Sequence, residues 1–131
     1  MSKKQWREFI KQAREIYRET RPVPCPALGN ELVYFNRFGL NHLTRSGKNL
    51  RSIYEQNRRI RLFEKASGII SNAKSVHEYR KLEKKIPYGE SFRISTAHFW
   101  AFASNEGGRT VIVLVRQVND GVKHYFSVMD E

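Results

Sequence analysis

The stretch from Phe92 to Met129 constrains the fold more than any other part of the chain. It is dense in aromatic and β-branched residues, which favour strands, and turn signals divide it at residues 105–108 and at Asp120-Gly121. An Asp-Gly pair between two apolar runs is a strong hairpin signal. The pattern predicts an antiparallel meander of three strands, at about residues 92–103, 110–118 and 122–129.

Helical spacing predicts helices before this sheet. A first helix begins at the cap Ser2 and carries an apolar stripe from Trp6 to Tyr17. A second helix begins near a cap at Asn49 and ends near Gly68, which can adopt the left-handed conformation of a helix terminus. A capping-box pattern predicts a third, short helix over Ser75–Lys85.

The order of these segments predicts an α+β fold, with N-terminal helices packed on a C-terminal antiparallel β-sheet. With 131 residues and 40% apolar content, the chain fits one domain, residues 1–131. Residues 1–85 are expected to be mainly helical and residues 90–130 to form the sheet. An apolar run at residues 31–36 adds a candidate strand in the first half.

The charge balance limits the class of partner. The chain carries 24 Lys and Arg against 13 Asp and Glu, a formal net charge of +11. Such an excess favours a polyanion, and nucleic acid fits this description. No stretch approaches the roughly 20 apolar residues of a membrane-spanning helix, and no secretory signal is visible. We therefore expect RNA or DNA as partner, no membrane insertion, a monomer and a cytoplasmic site of action.

The last hairpin offers a phosphate-binding pair. A two-residue turn at Asp120-Gly121 predicts the pairs Arg116–Tyr125 and Leu114–Ser127. Arg116 and Ser127 then become diagonal neighbours on one face, where a guanidinium and a hydroxyl can hold one phosphate group. A three-residue turn breaks this pairing, and an ordinary surface role explains Arg116 equally well.

The segment from Gly39 to Lys48 holds the most suggestive local cluster, in which His42 is followed by Arg45 and Lys48. Cleaving RNA without a metal needs a base for the 2′-hydroxyl, an acid for the leaving oxygen and cations for the phosphorane charge. An imidazole and two cations can supply these groups. The simpler alternative is that His42 packs beside its neighbouring leucines. Of the other histidines, His124 is the runner-up, because it lies close to the final serine.

Other chemistries lack the residues that they need. Cys25 is the only cysteine, which excludes an internal disulfide and a cysteine-based metal site. The chain has two aspartates, Asp120 and Asp130, and no histidine pair at ligand spacing. No glycine-rich phosphate loop follows a strand. We expect neither a cofactor nor a metal. Arginines of the second helix form a candidate ridge for a nucleic-acid backbone, with a solvated helix face as the commoner explanation.

The run from Thr110 to Met129, TVIVLVRQVNDGVKHYFSVM, resembles the final hairpin of the barnase/EndoU/colicin/RelE-like nuclease superfamily, with the phage and polymorphic-toxin branches nearest. The resemblance implies helices packed on an antiparallel sheet. It also implies a histidine near an early strand-to-helix junction, here His42, and a serine in the last strand, here Ser127. Met129 departs from the family pattern, because many colicin-like members carry an aromatic residue there.

The resemblance implies a metal-independent endoribonuclease that leaves a 2′,3′-cyclic phosphate, as in toxins that are delivered into a target cell, cleave tRNA and are neutralised by an acidic immunity or antitoxin protein. In this hypothesis His42 acts as acid or base, while Arg45, Lys48 and Arg116 hold the scissile phosphate and Ser127 donates to a phosphate oxygen. Two alternatives stay open: a non-catalytic basic RNA- or DNA-binding domain, and an adaptor that binds an acidic protein.

Overall fold

The computed structural model describes residues 2–36, 39, 45–46, 49–50 and 52–130. Two α-helices and eight strands lie within these residues. They are α1 (Lys3–Glu19), β1 (Val23–Cys25), β2 (Glu31–Tyr34), β3 (Arg45–Ser46), β4 (Asn49–Leu50), α2 (Ile53–Asn72), β5 (Glu78–Tyr88), β6 (Ser91–Glu106), β7 (Arg109–Val118) and β8 (Lys123–Asp130). None of the described helices is long and apolar enough to cross a membrane.

The main sheet has six strands in the order β1-β2-β8-β7-β6-β5, and β3 pairs with β4 in a separate ribbon. Four of the five pairings in the main sheet are antiparallel, and β2 alone runs parallel to its partner β8. The predicted α+β class is confirmed, with helices packed on a mostly antiparallel sheet. The sheet nevertheless recruits β1 and β2 from the first third of the chain.

The core lies between α2 and one face of the sheet. Buried apolar residues of α2 meet the alternate valines of β7. Tyr17 of α1 closes one end of this core, where its ring contacts Phe63 and Tyr125. Gly39 lies so close to the Tyr17 hydroxyl and to the Tyr125 ring and carbonyl that a Cβ atom has no room there.

Helix α1 begins as predicted, whereas both predicted ends of α2 are wrong. Ser2 and Gln5 form a reciprocal capping box at the start of α1. Asn49 lies in β4, and Ser52 caps α2 by accepting a hydrogen bond from the backbone of Glu55. Gly68 remains inside α2, which continues for another turn to Asn72. The apolar spacing continues past the glycine with the buried pair Ile69 and Ile70, so packing outweighs the local cost of glycine.

The predicted third helix over Ser75–Lys85 is wrong, because these residues lead into the eleven-residue strand β5. A capping box favours a helix by only about 1 kcal/mol. Eleven register pairs with β6, closed by a turn at Gly89-Glu90, outweigh that local preference. As a result, the expectation of a mainly helical stretch to residue 85 fails at its C-terminal end.

The final hairpin follows the predicted register only at its far end. Leu114 pairs with Ser127 as expected, but Val115 pairs with Tyr125, so Phe126 is an extra residue in a β-bulge. The turn itself is longer than predicted: Asn119 has a positive φ of 51°, and β8 starts only at Lys123. Beyond the bulge, the predicted pair Arg116–Tyr125 is therefore wrong.

Candidate functional site on the distal face of the sheet

The two faces of the sheet carry different residues. Val111, Val113 and Val115 of β7 point toward α2 and are buried in the core. Because side chains alternate along a strand, Leu114 and Arg116 lie on the opposite side. We call this side the distal face, since it faces away from α2.

One row of residues crosses the distal face. Arg80 of β5 pairs with Phe99 of β6, Phe99 pairs with Arg116 of β7, and Arg116 pairs with His124 of β8. Tyr34 of β2 is the register partner of His124 at the end of the row. Register partners in a sheet have adjacent side chains on one face. The row therefore brings two arginines, a histidine and two aromatic rings together.

Arg116 is held in a defined orientation. Its Nε donates a hydrogen bond to Nε2 of His124 at 3.0 Å. The guanidinium carbon lies 4.5 Å from the centre of the Phe126 ring, a cation–π contact. Phe126 in turn meets Phe99 edge to face, with centroids 5.3 Å apart. The bulge explains this arrangement, because the inserted residue brings Phe126 beneath Arg116 instead of into the core.

His124 is buried and uncharged at neutral pH. Its residue exposure is 4%. Burial lowers the pKa of His124 to about 4, the charge of Arg116 acts in the same direction, and a backbone hydrogen bond with Val122 opposes both. Burial also lowers the pKa of Arg116, which stays far above 7 for a guanidinium. A neutral imidazole that accepts from Arg116 serves to position that guanidinium.

A recess of about 440 Å³ lies on the same face, on the other side of Phe99. Its floor is apolar and includes Leu114, Ile112 and Met129, and Arg80 stands at its edge. Apolar walls with a few polar groups at the rim are typical of ligand sites. The recess is large enough for one planar ring that stacks against protein side chains.

Ser127 makes a different contact from the one predicted. Its hydroxyl accepts a hydrogen bond from Nη1 of Arg59 on α2 at 3.3 Å, and the same nitrogen donates to the Val128 carbonyl at 2.9 Å. Nε of Arg59 binds Glu55 at 2.8 Å. Arg116 and Ser127 are thus engaged by different partners, and Ser127 joins β8 to α2.

The other three predicted site residues are His42, Arg45 and Lys48, and the structure describes only the backbone of Arg45. His42 and Lys48 fall outside the described residues. Arg45 lies in β3, where its backbone pairs with that of Leu50. Of the five predicted residues, the structure therefore sets only Arg116 and Ser127 in a described environment.

His124 is the functional candidate that the sequence ranked too low. A two-residue turn put it on the same side as the core, whereas the longer turn puts it beside Arg116. The signal was present in Asn119, because asparagine adopts positive φ more readily than most residues and favours a turn that starts one position earlier. Arg80 and Phe99 carried no signal of their own, since only the pairing of β5 with β6 places them in the row.

Two arginines of the predicted ridge on α2 are engaged within the fold. Arg58 binds Asp130 of β8 and, at 3.1 Å, Glu55. Arg59 makes the contacts to β8 described above. Because each of these two arginines binds Glu55 on α2 and a residue of β8, they join the helix to the sheet. Arg61 and Lys65 stay exposed on the same helix.

The described residues include no group of three or more His, Cys, Asp or Glu that could hold a metal ion. The distal face supplies cations, aromatic rings, the neutral imidazole of His124 and, at the recess, His77 and Glu78. Comparison with known protein families, with characterised proteins and with solved structures found no significant match to this chain.

Proposed function

We propose that this chain is a metal-independent endoribonuclease and that Arg116, on the distal face, binds the scissile phosphate of the RNA. The observation that carries the proposal is the guanidinium held between His124 and Phe126. A guanidinium with a fixed orientation binds phosphate oxygens with little loss of entropy. The electrostatic interaction between them is stronger where water is partly excluded. Arg116 is half-buried, which fits this requirement.

The surroundings of Arg116 suit RNA better than an isolated phosphate. A phosphodiester at Arg116 places a neighbouring base beside Phe99 and the apolar recess, where it can stack. Arg80, at the edge of the recess, lies on the same row in an exposed ion pair with Glu78, which a phosphate would have to displace. The net charge of +11 attracts the whole polymer.

In the proposed reaction the 2′-hydroxyl loses its proton to a base and attacks the phosphorus. The 5′-oxygen leaves with a proton from an acid, and a 2′,3′-cyclic phosphate remains. His42 is proposed as the acid or the base, and Arg45 and Lys48 as further phosphate ligands. His124 is unsuited to donate a proton at pH 7, because its pKa is about 4. We assign it to positioning Arg116. The resemblance to the barnase/EndoU/colicin/RelE-like superfamily remains a prediction, as do a tRNA substrate and an acidic immunity partner.

A digest of total tRNA in EDTA tests the proposal. Wild-type protein should cleave the RNA and leave cyclic phosphate ends, and His42→Ala should abolish cleavage. Arg116→Ala should slow it by about 100-fold or more, as loss of a charge-stabilising donor does elsewhere. Arg14→Ala is the matched control, since it removes one exposed charge from α1 and should change the rate by less than about 2-fold.

A non-catalytic RNA-binding domain is the second candidate, and one observation favours it. The distal face supplies cations and rings, but His124, the histidine next to Arg116, is neutral and already accepts from Arg116. This candidate predicts that tRNA stays intact under all conditions while binding persists and weakens in Arg116→Ala. That outcome would replace the ribonuclease by a binding module.

A further inference from the structure

The β5–β6 hairpin projects beyond the rest of the sheet. β6 pairs with β7 only from Ala97 to Glu106, whereas its first six residues, 91–96, have register partners on β5 alone, and Asn119 of the β7–β8 turn hydrogen-bonds Thr96 at the base of this stretch. These residues and their partners, 83–88, form a two-stranded ribbon that we call the arm. A two-stranded hairpin on its own is marginally stable in water. A bound ligand would stabilise such a projecting hairpin.

The arm carries more positive than negative charge, with Lys84, Lys85 and Arg93 against Glu83. Lys84, Lys85 and Arg93 have no ion pair in the part of the chain that the structure describes. By contrast, Arg80 and Lys81, at the base of the hairpin, bind the carboxylates of nearby glutamates. Lys84 and Arg93 lie on one side of the arm and Lys85 on the other, so both sides of the arm attract a polyanion.

The arm also exposes aromatic rings beside these cations. Tyr88 is 65% exposed and Phe92 is 51% exposed. Arg93 lies over the Tyr88 ring at 5.3 Å, and Lys85 lies over the Phe92 ring at 4.5 Å. Each ring is thus paired with a positive charge. Tyr88 and Arg93 lie on one side of the arm and Phe92 and Lys85 on the other, so a nucleic-acid strand that wraps the arm meets a ring and a charge on each side.

One side of the arm continues the distal face. Register places Lys84 and Arg93 on the same side of the sheet as Phe99, the partner of Arg116. Arg93 precedes Phe99 by six positions along β6, which corresponds to about 20 Å at roughly 3.3 Å per residue. A strand bound at Arg116 can therefore extend along β6 to the tip of the arm.

We propose that the arm binds a single-stranded stretch of RNA that flanks the phosphate at Arg116. The choice of RNA as ligand rests on the proposed function. Single strands present unstacked bases to exposed rings, whereas an A-form duplex keeps its bases stacked and its major groove too narrow for side chains to read. The arm therefore selects single strands over duplexes.

Two triple variants test the arm. Lys84→Gln, Lys85→Gln and Arg93→Gln remove its three charges, and Lys3→Gln, Lys4→Gln and Lys11→Gln remove three exposed charges from α1 as the matched control. The probe is a 2′-O-methyl RNA of about 20 nucleotides, which cannot form a cyclic phosphate and so reports binding alone. The arm variant should bind about 10-fold more weakly and lose about 2 from the slope of log K against log salt, at roughly 0.7 per phosphate contact. The α1 variant should bind within about 3-fold of wild type.

Three outcomes would overturn the proposal that the arm binds single-stranded RNA. Equal weakening by both triple variants means that only the total charge matters. Equal affinity of wild type for the probe and for its duplex removes the preference for single strands. Loss of binding to phosphatidylserine vesicles, with RNA binding unchanged, assigns the arm to a membrane surface. Unfolding midpoints within the wild-type range for both variants are the control for folding.

The test separates the arm from the proposed function, because the probe is resistant to cleavage. Intact tRNA together with weaker probe binding by the arm variant counts against the ribonuclease and supports the arm. Cleavage that depends on Arg116, together with equal probe binding by both triple variants, counts against the arm alone.

Discussion

Arg116 and His124 share one hydrogen bond, so the protonation of the histidine determines how the arginine is held. A protonated imidazole has no lone pair for the Arg116 donor and adds a second positive charge beside it. Burial keeps the ring neutral down to a pH of about 4. The pair is therefore built to work unprotonated.

This pair predicts a pH dependence of folding. The pKa of His124 is about 4 in the folded state and 6.5 ordinarily, so between these values the unfolded chain binds a proton that the folded chain does not. The contribution of His124 to the free energy of unfolding is complete above pH 6.5 and is lost as the pH drops toward 4, by at most about 3 kcal/mol. Urea denaturation of wild type and His124→Gln across this window measures the free energy of unfolding as a function of pH. The variant should lack the part of this pH dependence that His124 causes. Equal slopes in wild type and His124→Gln would contradict the buried neutral ring.

Ser127 shows how little a single residue reveals of its environment. Its predicted partner across the hairpin, Leu114, is confirmed. Its hydroxyl was predicted to face a phosphate beside Arg116, but it accepts from Arg59, which lies 68 residues away in the sequence. Side-chain contacts between distant elements leave no periodic pattern in the sequence, so Arg59 could not have been identified in advance.

Helix α2 and strand β8 are joined through Arg59. Its Nη1 donates to a backbone carbonyl of β8 as well as to Ser127, and its side chain is largely buried. β2 pairs with β8 only as far as His124, so the Val128 carbonyl lies beyond the end of β2. A side chain thus supplies a donor where the described sheet has no further strand.

Removal of this donor should destabilise the protein. Arg59→Met keeps the apolar stem but leaves the carbonyl of Val128 and the hydroxyl of Ser127, two buried residues, without their donor, which costs about 1 to 3 kcal/mol. Arg61→Met, at an exposed position of the same helix, should stay within about 0.5 kcal/mol of wild type. Thermal or chemical unfolding distinguishes the two. If both variants unfold alike, the Arg59 contacts contribute nothing to the joint.

The elements differ in how well local sequence predicts them. β6, β7 and β8 follow from runs dense in aromatic and β-branched residues and from clear turn signals. β5 could not be predicted in the same way, because its residues are exposed along almost the whole strand and only the register with β6 defines it. Lysines at 81, 84 and 85 suit an edge strand, since charge discourages pairing with another chain. The bulge at Phe126 depends on a turn one residue longer than an Asp-Gly pair suggests.

At the scale of the whole molecule, contacts between cations and phosphates should make the affinity for RNA strongly dependent on salt, in a chain with a net charge of +11. Contacts from Arg116 and from the three cations of the arm predict a slope of about −3 for log K against log salt, at roughly 0.7 per contact on a single strand. A titration of wild type against the 2′-O-methyl probe at several salt concentrations measures this slope. An uncharged morpholino oligomer of the same sequence should not bind. A slope flatter than about −1, or binding of the morpholino, would show that phosphates contribute little.

The position of β8 between β2 and β7 has a consequence for folding during synthesis. Val33 pairs with Lys123, so about 90 residues of chain must emerge before the two halves of the sheet meet. β5, β6 and β7 can assemble on the ribosome as a local meander, while β1 and β2 wait for a neighbour that is translated later. A nascent chain that stalls before residue 123 holds two separate half-sheets, and the seam through Val33 forms only once the strand that fills it has been made.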